Sequence, residues 1–389
     1  MDMSNQMSTF VQNIKPNEIL SFNQKISGIP NLIKLTLGEP DFNTPDHIKQ
    51  AGIKAIKDNE SHYTNPRGIL PLRQAISKFL KDKYGLHYNP KSQIVVTSGV
   101  TESIRAVFSA ILNPGDEVII PTPIFSIYTP NVICDGGKPV IVNVSNDNYL
   151  LTPQRLEATL KAHPKTKALV LNFPNNPVGN TYTKAQLEAL ANVIKKHHIF
   201  CICDEIYSEL TYNQPHTSMG TLLPDQAIVM NGVSKTFAMT GWRVGFVCGP
   251  TNVITGVNNL HVLDVTSVTT CAQYAALEAF KNGYDDGPKM RKVYKKRRDI
   301  LRAGLSKAGF TSPEPSGAFY IFAKIPSQFT QDSFKFAYQL AKEAHVGTIP
   351  GNAFGPGGDG HIRISYAAST DNIKEAVRRI QKFVKTHKD

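Results

Sequence analysis

The stretch NGVSKTFAMTGWRVG, residues 231–245, follows an apolar run and places Lys235 just beyond the end of a predicted strand. Gly232 and Gly241 let the backbone fold tightly around this lysine. A primary amine held on a rigid sheet edge, in a crowded and partly desolvated site, can reach its neutral form and attack an aldehyde to form a Schiff base. The alternative is a solvated surface lysine. The flanking glycines, and Arg243 close enough in sequence to meet a phosphate, favour the reactive amine.

Apolar, β-branched runs alternate with helix-patterned stretches between about Gln93 and Phe246. This alternation is typical of an α/β fold with a mostly parallel sheet covered by helices on both faces. We predict seven strands, at Gln93–Thr97, Glu117–Pro121, Pro139–Val144, Ala168–Asn172, Phe200–Cys203, Ile228–Asn231 and Val244–Cys248. Too few residues separate Asn231 from Arg243 for a helical crossover, so the last strand is expected to run antiparallel to its neighbour.

The rest of the chain predicts a second, smaller unit. At 389 residues the chain is long enough for one large domain and a smaller one. We predict short strands of the smaller unit at residues 35–42, 315–322 and 361–366. The expected organisation is a large domain over residues 44–280 and a smaller α+β domain formed by residues 1–43 and 281–389.

The chain carries a formal net charge of +12, which makes a nucleic-acid-binding regulator one alternative. The positive residues concentrate in one segment with helical spacing, at Lys289, Arg291, Lys292, Lys295, Lys296, Arg297, Arg298 and Arg302. Because this segment has no nucleic-acid-binding motif, we interpret it as a solvated helix face and expect no nucleic-acid partner.

The apolar runs are short and interrupted, and Met1 to Phe10 is polar, without the apolar core of a secretory leader. We therefore expect no membrane association and a cytoplasmic location. The five cysteines are Cys134, Cys201, Cys203, Cys248 and Cys271. This odd, scattered set predicts reduced thiols rather than disulfides or metal ligands, and no metal site is expected.

A tight turn follows the first predicted strand of the large sheet. It contains Gly99, Val100 and Thr101, and it opens a helix, so that free backbone N–H groups and a hydroxyl are aimed at one spot. Ligands gather at the carboxyl ends of strands in an alternating α/β sheet. The turn is therefore a candidate anion site, and a simple helix cap is the alternative.

Arg363 lies in the otherwise apolar run His361–Tyr366. A guanidinium in such a strand is costly unless an anion pairs with it, and its planar fork suits a carboxylate. We predict that Arg363 binds the α-carboxylate of a substrate, with an internal salt bridge as the alternative.

These motifs, in order from about Leu35 to Tyr366, resemble those of the class I and II aminotransferases. The resemblance is carried by the Lys235 stretch, by DEIY at residues 204–207, by NNPVG at 175–179 and by PSGAFY at 315–320. They look most like the bacterial class I group of aspartate, aromatic and N-acetyl-LL-diaminopimelate aminotransferases. The resemblance implies fold type I, with pyridoxal 5'-phosphate bound to Lys235.

The resemblance implies how the cofactor ring is held. Asp204, at the end of a strand, would pair with the ring nitrogen and keep it protonated, which lets the ring accept electrons from a broken Cα–H bond. Tyr207 and Asn176 would hydrogen-bond the phenolic oxygen of the ring, and Phe125 would stack on it. The alternatives are a helix cap for Asp204, a plain turn for Asn176 and core packing for the two aromatic residues.

The phosphate of the cofactor is expected at Gly99, Val100, Thr101, Ser234 and Arg243. Many relatives have a serine three residues before the lysine where this chain has Gly232, so Ser234 could replace that contact.

Gly38, Asn176 and Arg363 are the predicted substrate-binding residues. Tyr63 aligns with a tyrosine that reaches the phosphate of the neighbouring subunit's cofactor, which implies a homodimer with shared active sites. In the segment Leu260–Asp264 the animal-type aspartate enzymes supply an arginine for a second carboxylate, and this chain has none. Strict dicarboxylate selectivity is therefore not expected.

The predicted function is transfer of an amino group from an L-amino acid to a 2-oxo acid, with 2-oxoglutarate as the acceptor implied by the resemblance. Lys235, Asp204 and Tyr207 are the predicted catalytic residues. The donor is of the aromatic, aspartate or N-acetyl-diaminopimelate type, which the sequence leaves open. The alternative is a pyridoxal-phosphate-dependent C–S β-lyase on the same fold.

Overall fold

A seven-stranded sheet lies at the centre of the computed structural model, which describes residues 16–387 together with 3, 6–8, 12 and 14. Numbered along the chain after a short β1 (Ile33–Lys34), its strands are β2 (Ile94–Thr97), β3 (Glu117–Thr122), β4 (Lys138–Asn143), β5 (Thr166–Asn172), β6 (Phe200–Asp204), β7 (Ala227–Gly232) and β8 (Gly245–Cys248). Their order across the sheet is β2-β8-β7-β6-β5-β3-β4. All seven predicted strands of the large sheet are confirmed, with ends shifted by one or a few residues.

The β8 strand runs antiparallel to both of its neighbours, β2 and β7, whereas the other adjacent strands are parallel. This confirms the prediction that the link after β7 is too short for a helical crossover. The link forms only a single helical turn, Val233–Thr236, and a 3-10 turn, Thr240–Trp242. Gly232 and Gly245, at the two ends of the link, lie opposite each other in the ladder.

Helices cover both faces of this sheet. They are Asp46–Lys57, Leu70–Tyr84, Val100–Ile111, Tyr128–Cys134, Pro153–Ala162, Lys184–His197, Met219–Leu222, Thr251–Val265 and Thr270–Asn282. Every residue of β2, β7 and β8 is buried. Strands covered on both faces have no solvent side, which is why they appear in the sequence as continuous apolar runs.

A smaller, three-stranded antiparallel sheet lies beside the large one. The remaining strands are β9 (Tyr320–Lys324), β10 (Val346–Gly347), β11 (Ile349–Pro350) and β12 (His361–Ser365). The small sheet has the order β11-β12-β9, and β10 pairs in parallel with β1. Its helices are Glu18–Ile26, Asp286–Lys307, Ser333–Ala344 and Thr370–Thr386.

The β1–β10 pair ties the N-terminal part of the chain to the C-terminal part. The domain limits at 43/44 and 280/281 stay a prediction. Within the predicted segments, residues 1, 2, 4, 5, 9–11, 13, 15, 388 and 389 lie outside the described residues.

The strand predicted at residues 35–42 is wrong in position, because the strand is Ile33–Lys34 and an irregular segment follows. Leu35 O still accepts from the Ser365 N–H of β12 at 2.9 Å, whereas two later carbonyls of the segment bind side chains. Thr36 O accepts from Nη2 of Arg363 at 2.6 Å, and Gly38 O accepts from Nζ of Lys235 at 2.5 Å. The segment therefore delivers backbone acceptors to one place, which strand patterning does not signal.

The basic helix Asp286–Lys307 is present, but its cations do not form one solvated face as predicted. Arg297 and Arg298 are buried. The guanidinium of Arg297 pairs with Asp41 at 2.7 Å and lies over the ring of Phe42, at 5.2 Å. Two of the eight predicted surface cations therefore hold the fold together.

No helix in the described part of the chain has both the length and the apolar character needed to cross a membrane. All five cysteines are free.

Candidate active site

A cavity of about 380 Å³ opens where the carboxyl ends of β5, β6 and β7 meet the small sheet. Most of the predicted site residues line it together, namely Gly38, Val100, Thr101, Phe125, Asn176, Asp204, Tyr207, Ser234, Lys235, Arg243 and Arg363. Gly99 is not itself in the cavity lining, but it directly precedes Val100 and Thr101, which are. Tyr63 is 86% exposed and lies outside the cavity lining.

Lys235 lies on the single helical turn after β7, and its Nζ donates to Gly38 O at 2.5 Å. Desolvation lowers the pKa of this amine to about 8, although Glu39 and Asp204 oppose the shift. A lysine with such a pKa is partly neutral near neutral pH, as a nucleophile or a general base requires.

Asp204, the last residue of β6, is a buried carboxylate facing the cavity. Its Oδ2 accepts from Tyr128 Oη at 2.6 Å, and its Oδ1 accepts from the Ile206 N–H at 3.2 Å. Desolvation raises its pKa to about 6. No described lysine, arginine or histidine lies within ion-pair distance of it. A buried acid of this kind suits a ligand that brings its own cationic N–H.

The turn after β2 and the start of β8 form an anion cradle. The helix begins at Val100, and no described group accepts a hydrogen bond from the backbone N–H of Val100 or Thr101. Helix N-termini with free N–H groups bind anions. Arg243 Nη1 donates to Thr240 O at 3.0 Å, and no described carboxylate neutralises this guanidinium.

Gly245 lets β8 approach this cradle. A Cβ atom there would lie 2.6 Å from the carbonyl carbon of Gly99 and 2.7 Å from the N atom of Val100. Both distances are too short for any side chain, so only glycine permits the contact.

Arg363 is 2% exposed and pairs with no described carboxylate, so the alternative of an internal salt bridge is wrong for the described residues. Its Nη1 donates to Asn176 Oδ1 at 3.0 Å, and its Nε is buried and has no hydrogen-bond partner in the described part of the chain. Desolvation lowers its pKa. A buried, incompletely bonded guanidinium is suited to bind a carboxylate.

Two tyrosines at the site were not predicted to have a role. Tyr320 lies on β9, and its Oη is 2.8 Å from Oη of Tyr207. Tyr128 donates to Asp204, as described above. Both line the cavity. Tyr320 lies in the PSGAFY motif, and Tyr128 follows Phe125 by three residues and begins a helix. Those positions are the sequence signals that could have indicated the two tyrosines.

Together the side chains fit one kind of ligand. The cradle suits a phosphate, the Asp204 carboxylate suits a protonated ring nitrogen, and Lys235 suits an aldehyde carbon. The half-buried Phe125 offers an aromatic face at the same cavity. Arg363 remains for a second, carboxylate-bearing molecule.

The chain is similar to known proteins over almost its whole length. The family model described as Aminotransferase class I and II matches residues 30–380. The chain is 41% identical over 382 residues to a probable N-acetyl-LL-diaminopimelate aminotransferase of Bacillus subtilis (strain 168), covering 98% of this chain and 96% of that protein.

Two solved structures are similar throughout. One is the aromatic aminotransferase from Pyrococcus horikoshii OT3, with a TM-score of 0.89 and 38% identity, covering 94% of this chain and 99% of that one. The other is the aspartate aminotransferase from Thermus thermophilus with maleate, with a TM-score of 0.91 and 38% identity, covering 97% and 99%.

Proposed function

This chain belongs to the class I and II aminotransferases, a pyridoxal-phosphate-dependent family with fold type I, and we propose that it transfers the amino group of an aromatic L-amino acid to 2-oxoglutarate. Its substrates are amino acids and 2-oxo acids. The observation that supports the assignment of the site is that Lys235, Asp204 and Arg363 line one cavity.

The preference for an aromatic donor rests on the outer wall of the cavity. Ile19, Leu20 and Leu37 line it, and Leu20 and Leu37 are 68% and 43% exposed. The Glu39 carboxylate lies in the same lining. An apolar wall of this kind stabilises a ring, whereas a carboxylate repels another carboxylate.

The cations of the cavity support the same preference. Those in the described lining are Lys235, Arg243 and Arg363, and the roles proposed here use all three. Within the described residues, none is left for the distal carboxylate of aspartate. The similar proteins named above include aromatic, aspartate and N-acetyl-LL-diaminopimelate enzymes, so all three donors have to be compared.

The residues that would hold the cofactor follow from the site. Val100, Thr101, Ser234 and Arg243, with the Gly99 turn, would bind its phosphate. Asp204 would keep a positive charge at its ring nitrogen, and Tyr128 would hold the Asp204 carboxylate in place. When bound, the cofactor supplies an electron-deficient ring that accepts the electron pair of a bond broken at the substrate Cα.

The side chains of the protein would bind the substrate, orient the cofactor and transfer the proton. Arg363 would hold the α-carboxylate of the substrate, and the amide of Asn176, whose Oδ1 already accepts from Arg363, keeps its Nδ2 to donate into the cavity. Tyr207 would donate to the phenolic oxygen of the ring. The amine of Lys235, with a pKa lowered to about 8, would take the proton from the substrate Cα as a general base and, as a general acid, would donate it to the C4′ carbon of the cofactor.

We also propose a cytoplasmic homodimer. The side chain of Tyr63 is 86% exposed in the single chain. It is therefore free to contact a second subunit, which supports the proposed contact with the partner's cofactor. Five free cysteines support a reducing compartment.

The experiment is a single-turnover panel. Phenylalanine, tyrosine, aspartate and N-acetyl-LL-diaminopimelate are added one at a time to the holoenzyme, and the loss of its visible absorbance is followed. We expect the aromatic donors to react with the highest kcat/KM. Faster reaction of aspartate would reject the aromatic preference. Lys235→Ala should abolish turnover, and borohydride should attach a pyridoxyl group to wild-type Lys235 but not to the variant.

A further inference from the structure

A second cleft, of about 370 Å³, lies outside the active site. Arg67, Arg73, Lys91 and Asn258 line it, and none of them lines the cavity around Lys235. Three of these four side chains are cations. The cleft is formed by the turn before the Leu70–Tyr84 helix, by the turn before β2 and by the Thr251–Val265 helix.

Among the described residues, both guanidinium groups are bound only to neutral acceptors. Arg67 donates to Ser92 O at 3.3 Å and to Thr255 Oγ1 at 3.2 Å. Arg73 donates from Nε to Gly68 O at 3.1 Å and from Nη1 to Pro90 O. A guanidinium has five N–H donors, so each arginine keeps donors that these bonds do not use.

No described carboxylate forms an ion pair with Arg67, Arg73 or Lys91. Arg73 is only 5% exposed, so its charge is held inside the protein without an anion. Desolvation lowers the pKa of Arg67, and desolvation together with the charge of Arg67 lowers the pKa of Arg73. Two cations that repel each other in a partly desolvated cleft are unfavourable unless an anion binds between them.

A polar side chain in the same cleft also lacks a partner. Oδ1 of Asn258 is buried and makes no hydrogen bond among the described residues. Rotation of this amide by half a turn would direct its two N–H donors to the same place.

We propose that this cleft binds a phosphate group, either of inorganic phosphate or of a phosphate monoester. The planar forks of two arginines, the ammonium group of Lys91 and the amide of Asn258 offer donors from several directions, which matches a tetrahedral oxyanion. The volume of the cleft leaves room for the organic part of a monoester. The site is separate from the cradle proposed for the cofactor's phosphate.

The test uses the holoenzyme, so that the cofactor fills the cradle at Arg243. Inorganic phosphate and glycerol 3-phosphate are titrated in a phosphate-free buffer by isothermal titration calorimetry. Arg67→Gln removes one charge from a half-buried side chain and keeps its capacity to hydrogen-bond. Lys91→Gln removes one charge from an exposed side chain, where the substitution should not affect folding. This variant therefore still tests the proposal if Arg67→Gln is unstable. Arg155→Gln is the control, since it makes the same charge change at an arginine that already pairs with Asp147.

We expect saturable binding with one site per chain, weakened about tenfold by Arg67→Gln and several-fold by Lys91→Gln, and changed less than about twofold by Arg155→Gln. Tighter binding of glycerol 3-phosphate would identify a monoester as the ligand, and tighter binding of phosphate would identify the free anion. Absence of saturable binding, or equal weakening in all three variants, would overturn the proposal. Neither result bears on transamination, which the donor panel tests separately.

Discussion

Nη1 of Arg363, on β12 of the small sheet, donates a hydrogen bond of 3.0 Å to Oδ1 of Asn176, on the turn after β5 of the large sheet. Two chemically complementary side chains from different sheets thus meet in the cavity. A carboxylate that binds Arg363 is brought directly beside the amide that is proposed to orient the cofactor.

Arg363→Lys should weaken carboxylate binding about ten- to a hundredfold, because the ammonium group keeps the charge but loses the planar fork. The measurement is the affinity of the holoenzyme for 3-phenylpropanoate, an unreactive analogue of an aromatic donor. Pyridoxyl labelling of Lys235 should be unchanged. An affinity equal to that of the wild type would contradict the role of Arg363.

Asp204→Asn should stabilise the apoenzyme above about pH 6 while reducing turnover. The folded-state pKa is raised from 3.8 to about 6, so the cost of burying the carboxylate begins near pH 4 and is complete above pH 6. This cost is at most about 3 kcal/mol. Urea unfolding of both apoenzymes should show a larger gain at about pH 7.5 than at about pH 5. An equal gain in the free energy of unfolding at both pH values would show that this gain does not come from removing a desolvated charge.

Tyr320→Phe should lower kcat about five- to tenfold, because the Tyr207 hydroxyl loses its 2.8 Å partner. Since Tyr320 is argued to act through Tyr207, the pH dependence of the holoenzyme's visible absorbance should shift as well. Tyr366→Phe is the control, because this tyrosine is equally buried and its hydroxyl donates to Ala318 O, outside the cavity lining. The same spectral shift in both variants would show that Tyr320 contributes only to packing and does not act through Tyr207.

His47→Gln should destabilise the protein more at about pH 5.5 than at about pH 8.5. His47 lies between Glu278 at 2.8 Å and Asp286 at 2.9 Å. Burial alone lowers its pKa, but these two carboxylates outweigh that effect and raise it above 6.5. The stabilisation is therefore complete below pH 6.5 and is lost as the pH rises through the folded-state pKa. The measurement is urea unfolding at both pH values, and equal destabilisation at the two would contradict the role of the ion pairs.

The large sheet could be predicted because most of its strands are buried on both faces and so remain apolar along most of their length, whereas β4, at the edge, has both buried and exposed residues. The reversal of β8 followed from chain length alone. The position of β1 could not be predicted, because the segment after it uses its carbonyls to bind Arg363 and Lys235, and hydropathy does not encode such contacts.

The site shows the same limit. Residues with distinctive chemistry, such as Lys235 and Asp204, lie in the cavity as their motifs predict. The residues that position them, Tyr128 and Tyr320, cannot be recognised from the sequence. They lie on separate elements, and only the packing of those elements brings them to the cavity. Arg298 was taken for a surface cation, but its guanidinium lies over the ring of Tyr212 at 4.8 Å, a contact between residues far apart in sequence.

The reversed direction of β8 has a consequence for how this loop can vary. Because Gly232 and Gly245 face each other across the ladder, the amine of Lys235 and the guanidinium of Arg243 are carried by one segment that is fixed at both ends. An insertion or deletion of a single codon within it would displace both groups at once, whereas the surface crossovers of the parallel strands can absorb such a change.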